Sequence, residues 1–265
     1  MKIFSESSKG FYASVVSLVI PMALQNLINV AVSAADVIML GNVSETVLSG
    51  ASLAGQIQYI MTLIFFGITS GACVLTAQYW GKGDTDVIEK ILGIALKFSL
   101  VTAVLFTALS MLFPEQCVSV FTNEKDVIAE GTKYLRILAV SYIFMSLAMI
   151  YLNIMRSTER VTISTIVYLS SLLCNVTLNW IFIFGKFGFP EMGIKGAAMA
   201  TCIARILEFT IVFWYSKKKN NPVHFKIKYI LRHDKILFKD FLKYSFPVMI
   251  NELAWGAGTA MNSLI

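Results

Sequence analysis

The sequence predicts an all-α membrane protein: a six-helix transporter lobe followed by part of a seventh transmembrane helix, half of a 12-helix, two-lobe fold. Three observations carry that reading. The 265 residues are 57% hydrophobic and only 14% charged, with a mean hydropathy of +0.71. A soluble domain needs more charge to cover its surface. Charge-free stretches recur at lengths that match a bilayer, where about 20 helical residues cross a core of about 30 Å. Lysine and arginine also fall unevenly between alternate connections, as the positive-inside rule requires.

The apolar stretches run Val15–Ala35, Thr46–Gly81, Phe98–Pro114, Ile137–Met155 and Val161–Gly185. A sixth, Gly193–Ser216, is interrupted by Arg205 and Glu208, and a seventh runs from near Tyr244 to Ile265. They are too long and too uniformly apolar to alternate as barrel strands, so they are helices, whose backbone groups are all paired internally. Most basic residues lie at the N-terminus and in the second, fourth and sixth connections, including Lys82, Arg156, Arg160 and the run Lys217-Lys218-Lys219. That bias places the N-terminus in the cytoplasm of a multi-pass protein of the cell membrane. It also accounts for the net charge of +6 without a nucleic-acid partner.

The domain reading is a transmembrane lobe over 1–216, a cytoplasmic linker with an amphipathic surface helix over 217–243, and the first, truncated helix of a second lobe over 244–265. The linker histidines, His224 and His233, read as solvated loop residues. Cys73, Cys117, Cys174 and Cys202 are far apart and read as small core residues. No cofactor is expected, and no enzyme: both histidines sit in one loop, and Trp80-Gly81-Lys82-Gly83-Asp84 lacks the Gly-Lys-Ser/Thr of a phosphate loop.

Polar residues inside the spans carry the chemistry, because an ionisable group there costs about 2.5–3.5 kcal/mol on insertion scales. Asp36 is either a carboxylate in a lobe cavity that binds H⁺ or Na⁺, or an interfacial carboxylate that stays hydrated. Asn175 and Asn179, spaced i, i+4, share one helix face, with Thr177 and Trp180 nearby. They are either an interhelical clamp or, with Asp36 and Thr201, hard oxygen ligands for Na⁺. Arg205 reads as an internal ion-pair partner of Glu208. Glu252, three residues before Trp255, is either a substrate carboxylate backed by a cation–π contact or a helix-packing group. Pro21, Asn26 and Asp36 recur as Pro247, Glu252 and Asn262 at matching offsets, a trace of the parallel repeat that relates two transporter halves.

Taken together, these residues resemble the multidrug and toxic compound extrusion (MATE) transporters. The likeness rests on Ile20-Pro21 with Asp36, on Gly71-Ala72 with Gln78 to Asp84, and on Asn175 to Asn179 followed by Ile181 to Gly188. It extends to Gly193-Ile194-Lys195-Gly196-Ala197-Ala198-Met199-Ala200-Thr201, and to Pro247 with Asn251, Glu252 and Trp255. The resemblance implies two six-helix lobes around a central cavity, and export of organic, cationic, drug-like compounds in exchange for H⁺ or Na⁺. It also implies a cation site at Asp36, Asn175, Asn179 and Thr201, with Asp36, Asn175 and Asn179 as Na⁺ ligands if sodium is the coupling ion, and a second-lobe carboxylate at Glu252. The family has about twice as many helices, so the sequence reads as truncated at Ile265 and short of a C-terminal lobe. Two other readings remain: a half-transporter or non-transporting fragment, and a flippase for lipid-linked saccharides, which the shortage of deep basic residues disfavours.

Overall fold

A computed structural model describes residues 2–218, 221–231 and 234–262. The chain forms α1 (Lys2–Gly41), α2 (Glu45–Gly81), α3 (Thr85–Leu112), α4 (Pro114–Ser119), α5 (Lys125–Leu138), α6 (Ser141–Ser157) and α7 (Val161–Ile183). After a short 3₁₀ turn at Lys186–Gly188 follow α8 (Ile194–Ser216), α9 (Ile227–Leu231) and α10 (Lys235–Asn262). Helices α1 from Val15, α2, α3, α7 and α8 are each long and apolar enough to cross a membrane. Helices α5 and α6 together make a sixth such span, bent by 56° at its break. Helix α10 carries the seventh stretch but is less apolar than these six.

Local chemistry sets the helix ends. Ser44 caps α2 by accepting from Val47 N at 3.1 Å, and Asp84 caps α3 through Val87 N at 3.2 Å. Between them the chain turns through Gly83 at φ +73°, a conformation that glycine adopts without a Cβ clash.

The broken span differs from the single straight helix expected over Ile137–Met155. Breaking a helix within a bilayer exposes backbone groups that lipid cannot satisfy. Here the Ala139 carbonyl at the break accepts from the Thr107 hydroxyl of α3 at 3.0 Å, and the Ser141 hydroxyl closes back on Leu138 O at 2.7 Å. The third span also begins earlier than expected. Its helix starts at Thr85 rather than Phe98, so Lys90 and Lys97 lie within α3.

The core lies where α2, α3, α5, α6 and α8 converge, filled by Phe65, Ile91, Leu96, Tyr142 and Tyr151. Helix α1 packs mainly along α7, with Val19, Ile20, Leu27, Val30 and Ile38 exposed. Such a face is suited to lipid tails. Helix α10 lies along α2, where Gly67 and Gly71 admit it closely. A Cβ on Gly67 would stand 2.3 Å from Met249 Cβ, and one on Gly71 would stand 2.0 Å from Ser245 Oγ.

The linker is built differently from the expected loop and single surface helix. Its amphipathic stretch is divided between α9 and the start of α10, which begins at Lys235 rather than near Tyr244. Residues Asn221–Tyr229 form a strap over the ends of α3, α6 and α8. Phe225 stacks on Tyr151 at 4.8 Å, and the Tyr151 hydroxyl donates to Val223 O at 3.0 Å. His224 is not a solvated histidine: its backbone N–H donates to Glu89 Oε1 at 3.0 Å, and its Nδ1 lies 3.2 Å from the same oxygen. The other oxygen, Oε2, pairs with Lys226. That hydrogen bond holds the Lys226 ammonium above the usual lysine range. Glu89 itself is 5% exposed. His233 lies outside the described residues.

A candidate ion site and the cavity beside it

Helix α1 brings Asp36 near its C-terminal end against α7, and α7 presents Asn175 and Asn179 on the face turned toward α1 and α8. Asn179 is fully buried and Asn175 is 2% exposed, whereas Thr177 and Trp180 are exposed on other faces of α7. The i, i+4 pair is thus buried together, and the two neighbours first grouped with it stand apart from it.

The side chains form a continuous chain of hydrogen bonds. Asn179 Nδ2 donates to Asp36 Oδ1 at 2.5 Å and to Asn175 Oδ1 at 3.1 Å. Asn175 Nδ2 donates in turn to Thr201 Oγ1 of α8 at 3.2 Å. A carboxylate in a low-dielectric interior is tolerated when hydrogen bonds replace its water. The Asn179 amide supplies that replacement with one hydrogen and gives the other to Asn175, which carries the chain on to Thr201 of α8. Its own Oδ1 is buried without a hydrogen-bond partner among the described residues. Such an orphan acceptor is costly unless a proton or cation uses it.

Asn175 and Thr201 also face a cavity of about 260 Å³ enclosed by α1, α2, α6, α7 and α8. Asn29, Gln58 and Thr62 give it polar walls, while Phe66, Met145 and Tyr168 give it apolar ones. Arg205 and Glu208 line it from α8, joined by hydrogen bonds of 2.8 and 3.0 Å as their spacing predicts.

Two buried polar residues on the neighbouring helices escaped the sequence reading. Tyr134 of α5, 8% exposed, is buried in the core that α5 shares with α2 and α8. Gln25 is buried where α1 crosses α7, and its Nε2 donates to Thr165 Oγ1 at 2.9 Å. A glutamine four residues after a proline inside an apolar helix was the available signal, whereas a tyrosine in the polar helix α5 gave none. Glu252 does not join the cluster. It is half-buried on α10 and makes no hydrogen bond or ion pair among the described residues.

Six apolar spans, five of which line a cavity with polar and apolar walls, and an amide-bound carboxylate among them define a multi-pass helical membrane protein. The model of the MatE family matches residues 21–181, and the chain belongs to that family. It is 26% identical over 248 residues to a probable multidrug resistance protein NorM of Thermotoga maritima, across 93% of this chain and 53% of the relative. With the probable multidrug resistance protein YoeA of Bacillus subtilis the identity is 24%, across 93% of this chain and 54% of the relative. An outward-facing multidrug resistance MATE family transporter of the MOP superfamily superposes with a TM-score of 0.79 at 20% identity, over 91% of this chain and 52% of the other. The chain thus spans about half the length of the relatives it matches, as a six-helix lobe with part of a seventh helix does. Those relatives are transporters rather than enzymes.

Proposed function

We propose that this chain is the ion-coupled lobe of an exporter of organic, drug-like compounds, and that Asp36 carries the coupling H⁺ or Na⁺. The observation that carries the reading is the chain Asp36–Asn179–Asn175–Thr201 with the unsatisfied Asn179 Oδ1 beside the carboxylate. The donor set fits Na⁺: one carboxylate, two amides and a hydroxyl supply hard oxygens and a single fixed negative charge. It fits a proton equally. Rotating the Asn179 amide by half a turn exchanges Nδ2 for Oδ1 and faces Asp36 with an acceptor, which suits a protonated carboxyl or a metal-bound carboxylate.

Because the cluster joins α1 and α7 to α8, the state of Asp36 biases how these helices pack. An ion and a transported compound that favour different packings then compete without touching. The names of the relatives, multidrug resistance proteins, support an organic substrate. The surplus of cytoplasmic-type basic residues supports a cell membrane location with the N-terminus inside. A second lobe, facing the cavity, completes the carrier on this reading, and Glu252 belongs to that lobe. A saccharide-lipid flippase finds less support, because Arg205 is the single basic residue among those lining the cavity, too little positive charge for a pyrophosphate.

The test is ²²Na⁺ binding and proton uptake by the purified protein, wild type against Asp36→Asn, together with ethidium efflux from cells. Asp36→Asn is expected to abolish binding of the coupling ion and coupled efflux while the protein still inserts. Ion binding and efflux that survive the substitution refute the assignment.

A further inference from the structure

The α8 ion pair is asymmetric in a way that salt-bridge formation does not require. The Arg205 side chain is 24% exposed to the cavity and that of Glu208 only 4%. Both carboxylate oxygens of Glu208 bind the same guanidinium nitrogen, Nη1. The opposite edge of the guanidinium, with the donors on Nη2 and Nε, makes no hydrogen bond to any described residue. Those donors are open to the cavity rather than sealed in the protein, so a ligand in the cavity can reach them. A guanidinium edge of this kind matches the two oxygens of a carboxylate, which takes two parallel N–H···O bonds in one plane.

We propose that Arg205 is a specificity-determining residue that holds the carboxylate of an apolar, aromatic-bodied compound in this cavity. The covalent geometry of the side chain puts the guanidinium between the two carboxylates. A bound anion then meets the near positive charge first, with the Glu208 charge on the far side. Phe66, Met145 and Tyr168 provide the wall for the apolar body. A cationic group has no equivalent seat on α8, since Glu208 is buried and both its oxygens are taken. The inference deepens the transporter reading by naming a substrate class, and it rests on that reading for the cavity's role as the ligand site.

The probe is a matched pair, 2-naphthoate and 2-naphthamide, which share a ring and differ in the charge of one group. Binding is measured by fluorescence on the purified protein in lipid nanodiscs. Wild type is expected to prefer the naphthoate by about tenfold, the value of one charge-assisted contact. In the charge-free double variant Arg205→Gln/Glu208→Gln the preference falls to near unity, with naphthamide affinity retained. Arg205→Lys keeps the charge without the planar edge, so most of the preference is lost even if the double variant does not fold. Equal binding of the two probes by wild type, a preference that survives in Arg205→Lys, or binding of neither probe overturns the proposal. These readouts are separate from ion binding at Asp36: the coupling assignment can fail while the naphthoate preference stands, and the reverse.

Discussion

Removing the buried carboxylate beneath the linker strap, by Glu89→Ala, is expected to release Asn221–Tyr229 from the body of the lobe. Glu89 is 5% exposed and makes three contacts, to the His224 backbone N–H, to His224 Nδ1 and to Lys226. A hydrogen bond to a charged group contributes about 1.5–3 kcal/mol, and losing it leaves the His224 N–H unsatisfied. The Lys226 side chain is 46% exposed, so its ion pair adds well under 1 kcal/mol. The sum is about 2–3 kcal/mol of local opening energy, which corresponds to roughly 30- to 150-fold faster amide exchange at 1.4 kcal/mol per decade. Hydrogen–deuterium exchange read by mass spectrometry resolves such a change in peptides covering the strap. The expected result is faster exchange at His224 and Phe225, with the buried turns of α2 and α6 unchanged. Asp86→Ala, which removes an exposed partner of Tyr229, is expected to change the same peptides by no more than about threefold. Unaltered protection in Glu89→Ala refutes the clasp, as does uniform loosening of every helix.

Two further predictions concern packing within the spans. Gly67→Leu is expected to push α10 off α2, since even a Cβ there meets the Met249 backbone, with Cα at 2.6 Å. Overpacking of this kind costs about 1–3 kcal/mol, seen as a lower Tm and as faster thiol labelling of cysteines placed at the α2–α10 contact; an unchanged Tm and labelling rate count against the close approach. Arg205→Gln alone strands Glu208 and is expected to destabilise the protein by about 3–5 kcal/mol, whereas the Arg205→Gln/Glu208→Gln pair recovers most of that loss. A double variant no more stable than the single one, in thermal melts in detergent, contradicts the buried pairing.

The residues differ in how far ahead they could be read. Arg205 with Glu208, and Asn175 with Asn179, are local pairs, so helical periodicity alone places each on one face. Asp36 and Asn179 lie 143 positions apart, and nothing in either segment marks the other. The family resemblance grouped them, and helix packing is what brings them together. The bend between α5 and α6 left no trace in the sequence. The residues between the helices, Ala139 and Val140, are neither glycine nor proline, and the break depends on Thr107 of another helix accepting the role of hydrogen-bond donor there. The contact between Glu89 and His224 was invisible for the same reason: the two lie 135 positions apart and meet only because the strap folds over α3.

By itself, then, the sequence determined the membrane class, the order of the apolar stretches and the polar residues worth watching. Those follow from composition, length and short-range spacing, because a bilayer penalises every unpaired backbone group and every stray charge wherever the segment sits. Tertiary structure alone decided which of those polar residues meet, which edge of Arg205 stays open to the cavity, and how the linker is bound. Contacts of this kind depend on how whole helices pack and bend against one another, and no single segment of sequence records that arrangement.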